Sequence, residues 1–244
     1  MDISLGLTLY YICAIGSGIF WLLTYIAVIW RGFQDKTFSM PVVALSANAS
    51  WEAIFSFFYT PPSLLLQYSS IAWFTFDLPI LYQCFLYGAN DFKASLIKQN
   101  FRLLLGLSIL VSFSILLSLI VDFRDFRGVY SGFGINFMMS VLYISLFIRR
   151  DGILGQSLYI AIFKWLGTLF AFLSLFFPFP LDNISDISSM TLQDFWIDQL
   201  LGQNYPLTPL VESLYFFIFI FDIAYIVFVY QRCQALKLNP WLRF

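Results

Sequence analysis

Seven apolar stretches, each about the length that crosses a bilayer, divide this chain almost from end to end. They cover residues 5–30, 41–59, 69–88, 101–121, 128–148, 156–178 and 207–230. About 20 apolar residues take a helix through the hydrocarbon core. In lipid, a lone helix satisfies its own backbone polar groups and an open strand does not. The pattern therefore predicts an all-α fold, a seven-transmembrane-helix bundle forming one domain over residues 1–244. The composition is 60% hydrophobic and 11% charged, which excludes an ordinary soluble domain. A formal net charge of −1 argues against nucleic acid as a partner. The first stretch is too long for a cleavable signal peptide and has no basic residues before it, so it reads as a retained helix.

Positive charge sets the orientation. Arg31, Lys36, Lys93, Lys98, Arg102, Arg149, Arg150, Arg232, Lys237 and Arg243 all fall on one side of the seven-span layout, and only Arg124 and Arg127 fall on the other. Loops rich in Lys and Arg stay in the cytosol. The N-terminus is thus expected outside or in the lumen, and the C-terminus in the cytosol. The protein reads as multi-pass, in the endoplasmic reticulum of a eukaryote or the inner membrane of a bacterium. The connector 179–206 holds Asp182, Asp186, Asp194 and Asp198 with no Lys or Arg, and a short amphipathic piece is expected around Leu192–Leu201. Asn183-Ile-Ser185 is then a lumenal glycosylation sequon in a eukaryote. Gly128-x-x-x-Gly132 reads as a helix-packing motif.

Carboxyls within these spans stand out. Glu52 lies in PVVALSANASWEAIFSFFY, Asp77 in SSIAWFTFDLPILYQCFLYG and Asp222 in LVESLYFFIFIFDIAYIVFVY. An ionisable side chain inside a membrane is costly, which makes each one a candidate functional residue. Counting along the spans places Glu52, Asp77, Asn136, Lys164 and Asp222 roughly 12–18 Å from one face, a layer in which five polar groups are expected to meet. Helical spacing adds Asn48, Phe55, Ser56 and Tyr59 to the Glu52 face, Tyr225 to that of Asp222 and Trp73 to that of Asp77. Such a layer can be interhelical glue. Three acids against the single Lys164, however, leave charge unbalanced unless protons are retained, and that favours acid chemistry. Aromatic residues make up 21% of the chain, and ring faces attract cations.

Several function classes lose support. There is no histidine, which removes the usual general base, the commonest zinc ligand and the proximal haem ligand. Cys13, Cys84 and Cys233 have no ligand spacing and read as small core residues. A rhodopsin needs a lysine in the last span, and none is there. No aspartate-rich metal motif occurs, Asp122-Phe-Arg-Asp125 being only a DxxD. No metal site and no cofactor are expected. A proton-coupled transporter of a small lipophilic molecule remains as the alternative, with Pro79 beside Asp77 as the hint of a broken helix.

The stretch SMPVVALSANASWEAIFSF, with its Trp51-Glu52 pair, resembles the second span of the integral-membrane terpene cyclases of meroterpenoid and indole-diterpene biosynthesis, the pyripyropene- and paxilline-type cyclases and their bacterial relatives. WFTFDLPILYQCFLYG, NFMMSVLYISLF, GQSLYIAIFKWLGTL and FDIAYIVFVYQRC followed by NPWLRF continue the resemblance in order. It implies an enzyme that cyclises a prenyl chain, farnesyl or geranylgeranyl, carried by an aromatic, polyketide or indole group. It implies a start by protonation of a terminal epoxide or alkene without metal. Glu52 and Asp222 match the family's acids, one donating the proton and the other supporting it, with Asp77, Asn48, Trp51, Asn136, Lys164 and Tyr225 around them. The implied partners are a lipophilic prenylated substrate, membrane lipid, and an upstream prenyltransferase and epoxidase. The charge bias predicts that cysteines introduced at positions 186 and 237 react with impermeant reagent from opposite sides of the membrane; labelling from one side would overturn the layout.

Overall fold

The computed structural model describes residues 3–59, 64–177 and 205–244. The acidic connector's amphipathic piece at Leu192–Leu201 and the sequon at Asn183 lie outside these residues. The described chain is helical, with no strand. Helices α1 (Ile3–Gln34), α2 (Val42–Ala53), α3 (Leu64–Tyr87), α4 (Ser95–Asp122), α5 (Val129–Arg150), α6 (Leu158–Ser174) and α7 (Pro209–Ala235) occupy the seven apolar stretches in order. α1, α4, α5 and α7 are long and apolar enough to cross a bilayer; Val42–Phe58 and Leu158–Ser174 are apolar but shorter. α3 runs without a break through Pro79, so the broken helix that Pro79 suggested is not formed.

The packing inverts the soluble rule. Leu103, Leu107, Leu110, Val111 and Ile115 of α4 face outward, whereas Glu52, Asp77, Asn136, Lys164 and Asp222 are buried between helices. Lipid is as apolar as leucine, so association between helices relies on close packing and polar bonds rather than on apolar burial. α1 lies mainly on α6, α5 on α7, and α2 against α3 and α4. Gly16 and Gly167 let α1 and α6 approach, since a Cβ at either would sit 2.8 Å from Phe170 or Trp21.

One end of the bundle is tied by charge. The Arg150 guanidinium donates to Asp91 at 2.8 Å, to the Phe38 carbonyl at 3.0 Å and to Thr37 at 2.9 Å. Arg149 also pairs with Asp91. Arg243, from the segment after α7, reaches Asp35 at 2.5 Å and the Ile153 carbonyl at 2.9 Å. Burial lowers the Arg243 pKa, and Asp35 opposes that shift. This is the end where the odd-numbered helices finish, and it carries the cationic loops identified from sequence.

At the other end, α5 begins at Gly128, which holds a left-handed φ of 68°. Its missing side chain matters twice over. A Cβ there would need that strained φ, and it would lie 2.5 Å from the Trp51 ring, whereas a Cβ at Gly132 would meet the same ring at an ordinary 3.7 Å. Gly128→Ala is therefore expected to cost about 1–3 kcal/mol of stability, read as a lower melting temperature in detergent, with Gly132→Ala close to wild type. Equal behaviour of the two variants would remove Gly128 as the fixed point of the α2–α5 contact.

Candidate active site

A cavity of about 330 Å³ opens within this second end. Its wall is built from the middle stretch of α1, from Tyr10 to Tyr25, the end of α2, the start of α3, the start of α5 and the end of α6. Tyr10, Trp21, Tyr25, Trp51, Trp73 and Phe133 supply rings. Tyr25 stacks on Trp73, with centroids 5.4 Å apart and planes 13° apart. Asn48, Glu52 and Asn136 supply polar groups to the same wall. Asn48 and Glu52 are one helical turn apart on α2, which sends both side chains the same way.

The helix changes form immediately after Glu52. Residues Ile54–Phe58 make a π-turn, closed by the Tyr59 amide donating to the Ile54 carbonyl at 2.7 Å. Phe55, Ser56 and Tyr59, which regular spacing puts on the Glu52 face, do not line the cavity beside Glu52. Phe55 packs on Trp51, and Tyr59 stacks on Phe126. Single π-turns inside helices are frequent at functional sites.

Four acids are buried among the described residues: Glu52, Asp77, Asp125 and Asp222. Three have both carboxyl oxygens bonded. Asp222 accepts from the Lys164 ammonium at 2.8 and 2.9 Å, and Lys164 also donates to Ser140 at 2.7 Å. Asp125 accepts from the Tyr130 and Ser131 amides, the Ser131 hydroxyl and the Tyr205 phenol. Burial first, and the adjacent Asp125 second, push the Tyr205 phenol up, which suits its role as donor. Asp77 accepts from Asn48 at 2.9 and 3.3 Å, and the same Asn48 nitrogen donates to the Tyr25 hydroxyl at 2.7 Å. Glu52 differs. Ser70 lines the cavity with it, and the Glu52 Oε2 has no partner. It is also the one acid of the four on the cavity wall.

The expected single layer of five polar groups is thus divided. Glu52, Asn48 and Asp77 form one cluster, with Tyr25 and Ser70 added. Lys164 and Asp222 form another between α6 and α7, away from the cavity wall. The expectation that Glu52 and Asp222 support each other directly is not met, because both Asp222 oxygens are taken by Lys164. Asn136 belongs to both regions: it lines the cavity and donates to Thr168 at 2.7 Å, and Thr168 in turn bonds the Lys164 carbonyl. Tyr225 is buried beside Tyr143, rings 5.2 Å apart, and does not reach the cavity. Trp51 is fixed at the wall by its indole N–H, which donates to Ser131 at 2.8 Å. No group of three His, Cys, Asp or Glu among the described residues comes together as a metal site.

Sequence reasoning missed Tyr25, Ser70 and Asp125. A tyrosine or serine in an apolar run carries no signal of its own. Asp125 reads in the sequence as part of a DxxD; its place just ahead of the Gly128–Val129 helix start is the readable sign of a helix-terminus acceptor.

A family model for Pyr4-like transmembrane terpene cyclases matches residues 6–179. The chain belongs to this family. Among its relatives, the Pyr4-family terpene cyclase mfmH of Annulohypoxylon moriforme is 29% identical over 197 residues, which cover 78% of this chain and 81% of that protein. Asnovolin H synthase nvfL of Aspergillus novofumigatus is 26% identical over 166 residues, covering 67% of this chain and 66% of that protein. The terpene cyclase penB of Penicillium crustosum is 30% identical over 100 residues, 41% of each chain. The matched parts thus span from about two fifths to about four fifths of these relatives. No solved structure matches the chain. Family membership makes this a membrane protein of an enzyme family, in agreement with its outward apolar faces.

The Lys164–Asp222 pair, with each side chain only 1% exposed, generates a stability prediction. Lys164→Met leaves a buried carboxylate alone and is expected to cost about 3–5 kcal/mol. Lys164→Met combined with Asp222→Leu removes both charges and is expected to recover most of that loss in thermal unfolding. A double variant as unstable as the single would show that the cost is lost packing rather than a stranded charge.

Proposed function

We propose that this protein is a metal-independent cyclase that begins its reaction by protonation and closes a farnesyl or geranylgeranyl chain carried by an aromatic, polyketide or indole group. The observation that carries the reading is Glu52, an acid on the wall of an aromatic cavity with one carboxyl oxygen left without a partner. Every other buried acid among the described residues spends its oxygens on structural bonds. The names of the relatives, terpene cyclases and an asnovolin synthase, support the substrate class. The unbroken α3 takes away the feature that favoured a transporter.

In this reading the Glu52 O–H bond breaks as the proton passes to a terminal epoxide oxygen or alkene carbon. Ser70 then stabilises the carboxylate left behind. The cation moves along the chain as each double bond attacks it. Rings of Trp21, Tyr25, Trp51, Trp73 and Phe133 face it at each stage, worth about 0.5–2 kcal/mol each when desolvated. Asn48 and Asn136 fix the polar side of the wall. Asp222 acts at one remove by holding Lys164, Ser140 and hence α5, α6 and α7 in register. The seven helices all cross the membrane, with the cavity mouth toward the lumen of the endoplasmic reticulum and the charged end in the cytosol.

Glu52→Gln keeps the shape of the side chain and removes its acidic proton. Turnover of an epoxyfarnesyl-substituted phenol by membranes is expected to fall about 10²–10⁴-fold, with the melting temperature unchanged and the wild-type rate insensitive to EDTA. Asp222→Asn is expected to lose activity together with stability. Near-normal turnover by Glu52→Gln at matched expression would return Glu52 to a structural role and remove the cyclase mechanism.

A further inference from the structure

Starting a cation is half of the chemistry. To end as an alkene, the cyclised cation must break a C–H bond, use its electron pair for the new double bond and give up the proton to a base. The charge that begins at one end of the prenyl chain finishes several bonds away, so the donor is poorly placed to receive it. The cavity offers a second oxygen. Tyr25 lines the wall, its ring held flat against Trp73. Its hydroxyl accepts from Asn48 Nδ2 at 2.7 Å, and the same nitrogen donates to Asp77 at 2.9 Å, which sets the phenol beside that carboxyl. A hydroxyl has one proton to donate and two lone pairs. With the proton on Asp77 and one lone pair on Asn48, one lone pair remains.

Asp77 itself is fully buried and absent from the cavity wall, so Tyr25 stands between it and the substrate. Its hydrogen-bond partner is a donor, the Asn48 amide, to both oxygens, with the Tyr25 hydroxyl held beside it by the same amide. That set fits an acceptor-only carboxylate. Glu52, with a free oxygen and a single hydroxyl neighbour, fits the protonated partner. The two carboxyls lie on adjacent helices, α2 and α3.

We propose that Tyr25 is the terminating base of the cyclisation and that Asp77, acting through it, is the positioning residue that receives the proton. This rests on Glu52 as the donor. As the substrate C–H bond breaks, its proton passes to the Tyr25 oxygen while the Tyr25 proton passes to Asp77. The phenol remains a phenol, Asp77 becomes the acid, and Glu52 is left as the carboxylate. The pair has exchanged one proton and the substrate has been isomerised with no net gain or loss. When product leaves, the proton returns from Asp77 through the Tyr25 hydroxyl to Glu52.

The test uses membranes holding the full chain, with an epoxyfarnesyl-substituted phenol and a geranylgeranyl-substituted indole as probes. Tyr25→Phe keeps the ring against Trp73 and removes the relay. Substrate is expected to be consumed still, in a Glu52-dependent way. The share of wild-type product is expected to fall at least about tenfold, replaced by compounds that have gained one water or carry the double bond elsewhere. Asp77→Asn is expected to give the same new products, and the double variant to be no worse than either single one. A slower reaction with an unchanged product ratio would assign Tyr25 and Asp77 to packing and overturn the relay. If Tyr25→Phe fails to accumulate, the product ratio of Asp77→Asn decides in the same way. Normal turnover by Glu52→Gln would instead bring down the cyclase reading on which the relay depends.

Discussion

Away from water, a polar group without a partner costs several kcal/mol, and the way that cost is met shapes the whole bundle. A bundle whose outside is leucine and phenylalanine can place its polar side chains only between helices. There they bond in cross-helix sets: Lys164 with Asp222 and Ser140, Asn136 with Thr168, Asp125 with Ser131 and Trp51, Asn48 with Tyr25 and Asp77. Each set joins two or three helices and fixes their rotation. Among the buried acids of the described residues, Glu52 is set apart by its partnerless Oε2, and it is the one that lines the cavity. A carboxyl left incompletely bonded at a cavity wall is how a scaffold keeps a reactive group available.

The two ends of the bundle divide the work. At the end where α1, α3, α5 and α7 finish, arginines from α5 and from the segment after α7 tie loops together through Asp91 and Asp35. At the opposite end the same helices begin, and the space between them is left open as the cavity. Gly128 and the π-turn after Glu52 belong to this end. The first lets α5 start close to Trp51, and the second turns Phe55 onto Trp51 and carries Tyr59 away from the cavity. The cation's path is thus bounded by rings that are held by other contacts, so they need not reorganise when charge develops beside them.

How much of this was legible depended on the kind of signal. The all-helical class and the order of the helices among the described residues were readable because apolar runs of bilayer length admit few structures, and α1 to α7 fall on those runs. Glu52, Asn48 and Trp51 were readable because a carboxyl is costly in such a run and because Asn48 lies one helical turn away. The grouping of the acids was not. Depth is counted along a helix, but rotation depends on neighbours, so Asp222 could be assigned a depth and still be given the wrong partner. The π-turn was invisible for a related reason: IFSFF has no Pro or Gly to mark it, and one extra residue in a turn displaces every face assignment downstream. Tyr25 was hidden among 14 tyrosines, with nothing in the sequence to single it out.

A carbocation passing through a protein needs an acid to start it and a base to end it, yet the base must not capture the proton that the acid is meant to deliver. Two carboxyls side by side on the cavity wall would share a proton and blunt both roles. Here the second carboxyl is withdrawn. Asp77 is absent from the cavity wall, and Tyr25 and Asn48, which line it, stand in its place. A neutral phenol is a weak base toward a carboxylic acid but an adequate one toward a carbocation next to it, provided its own proton has somewhere to go. Asn48 serves both sides of this arrangement: it is one turn from Glu52 on the same helix, and it holds Tyr25 and Asp77 in contact. The separation of donor from acceptor is therefore set by helix packing, through a single amide that bridges α2 to α1 and α3.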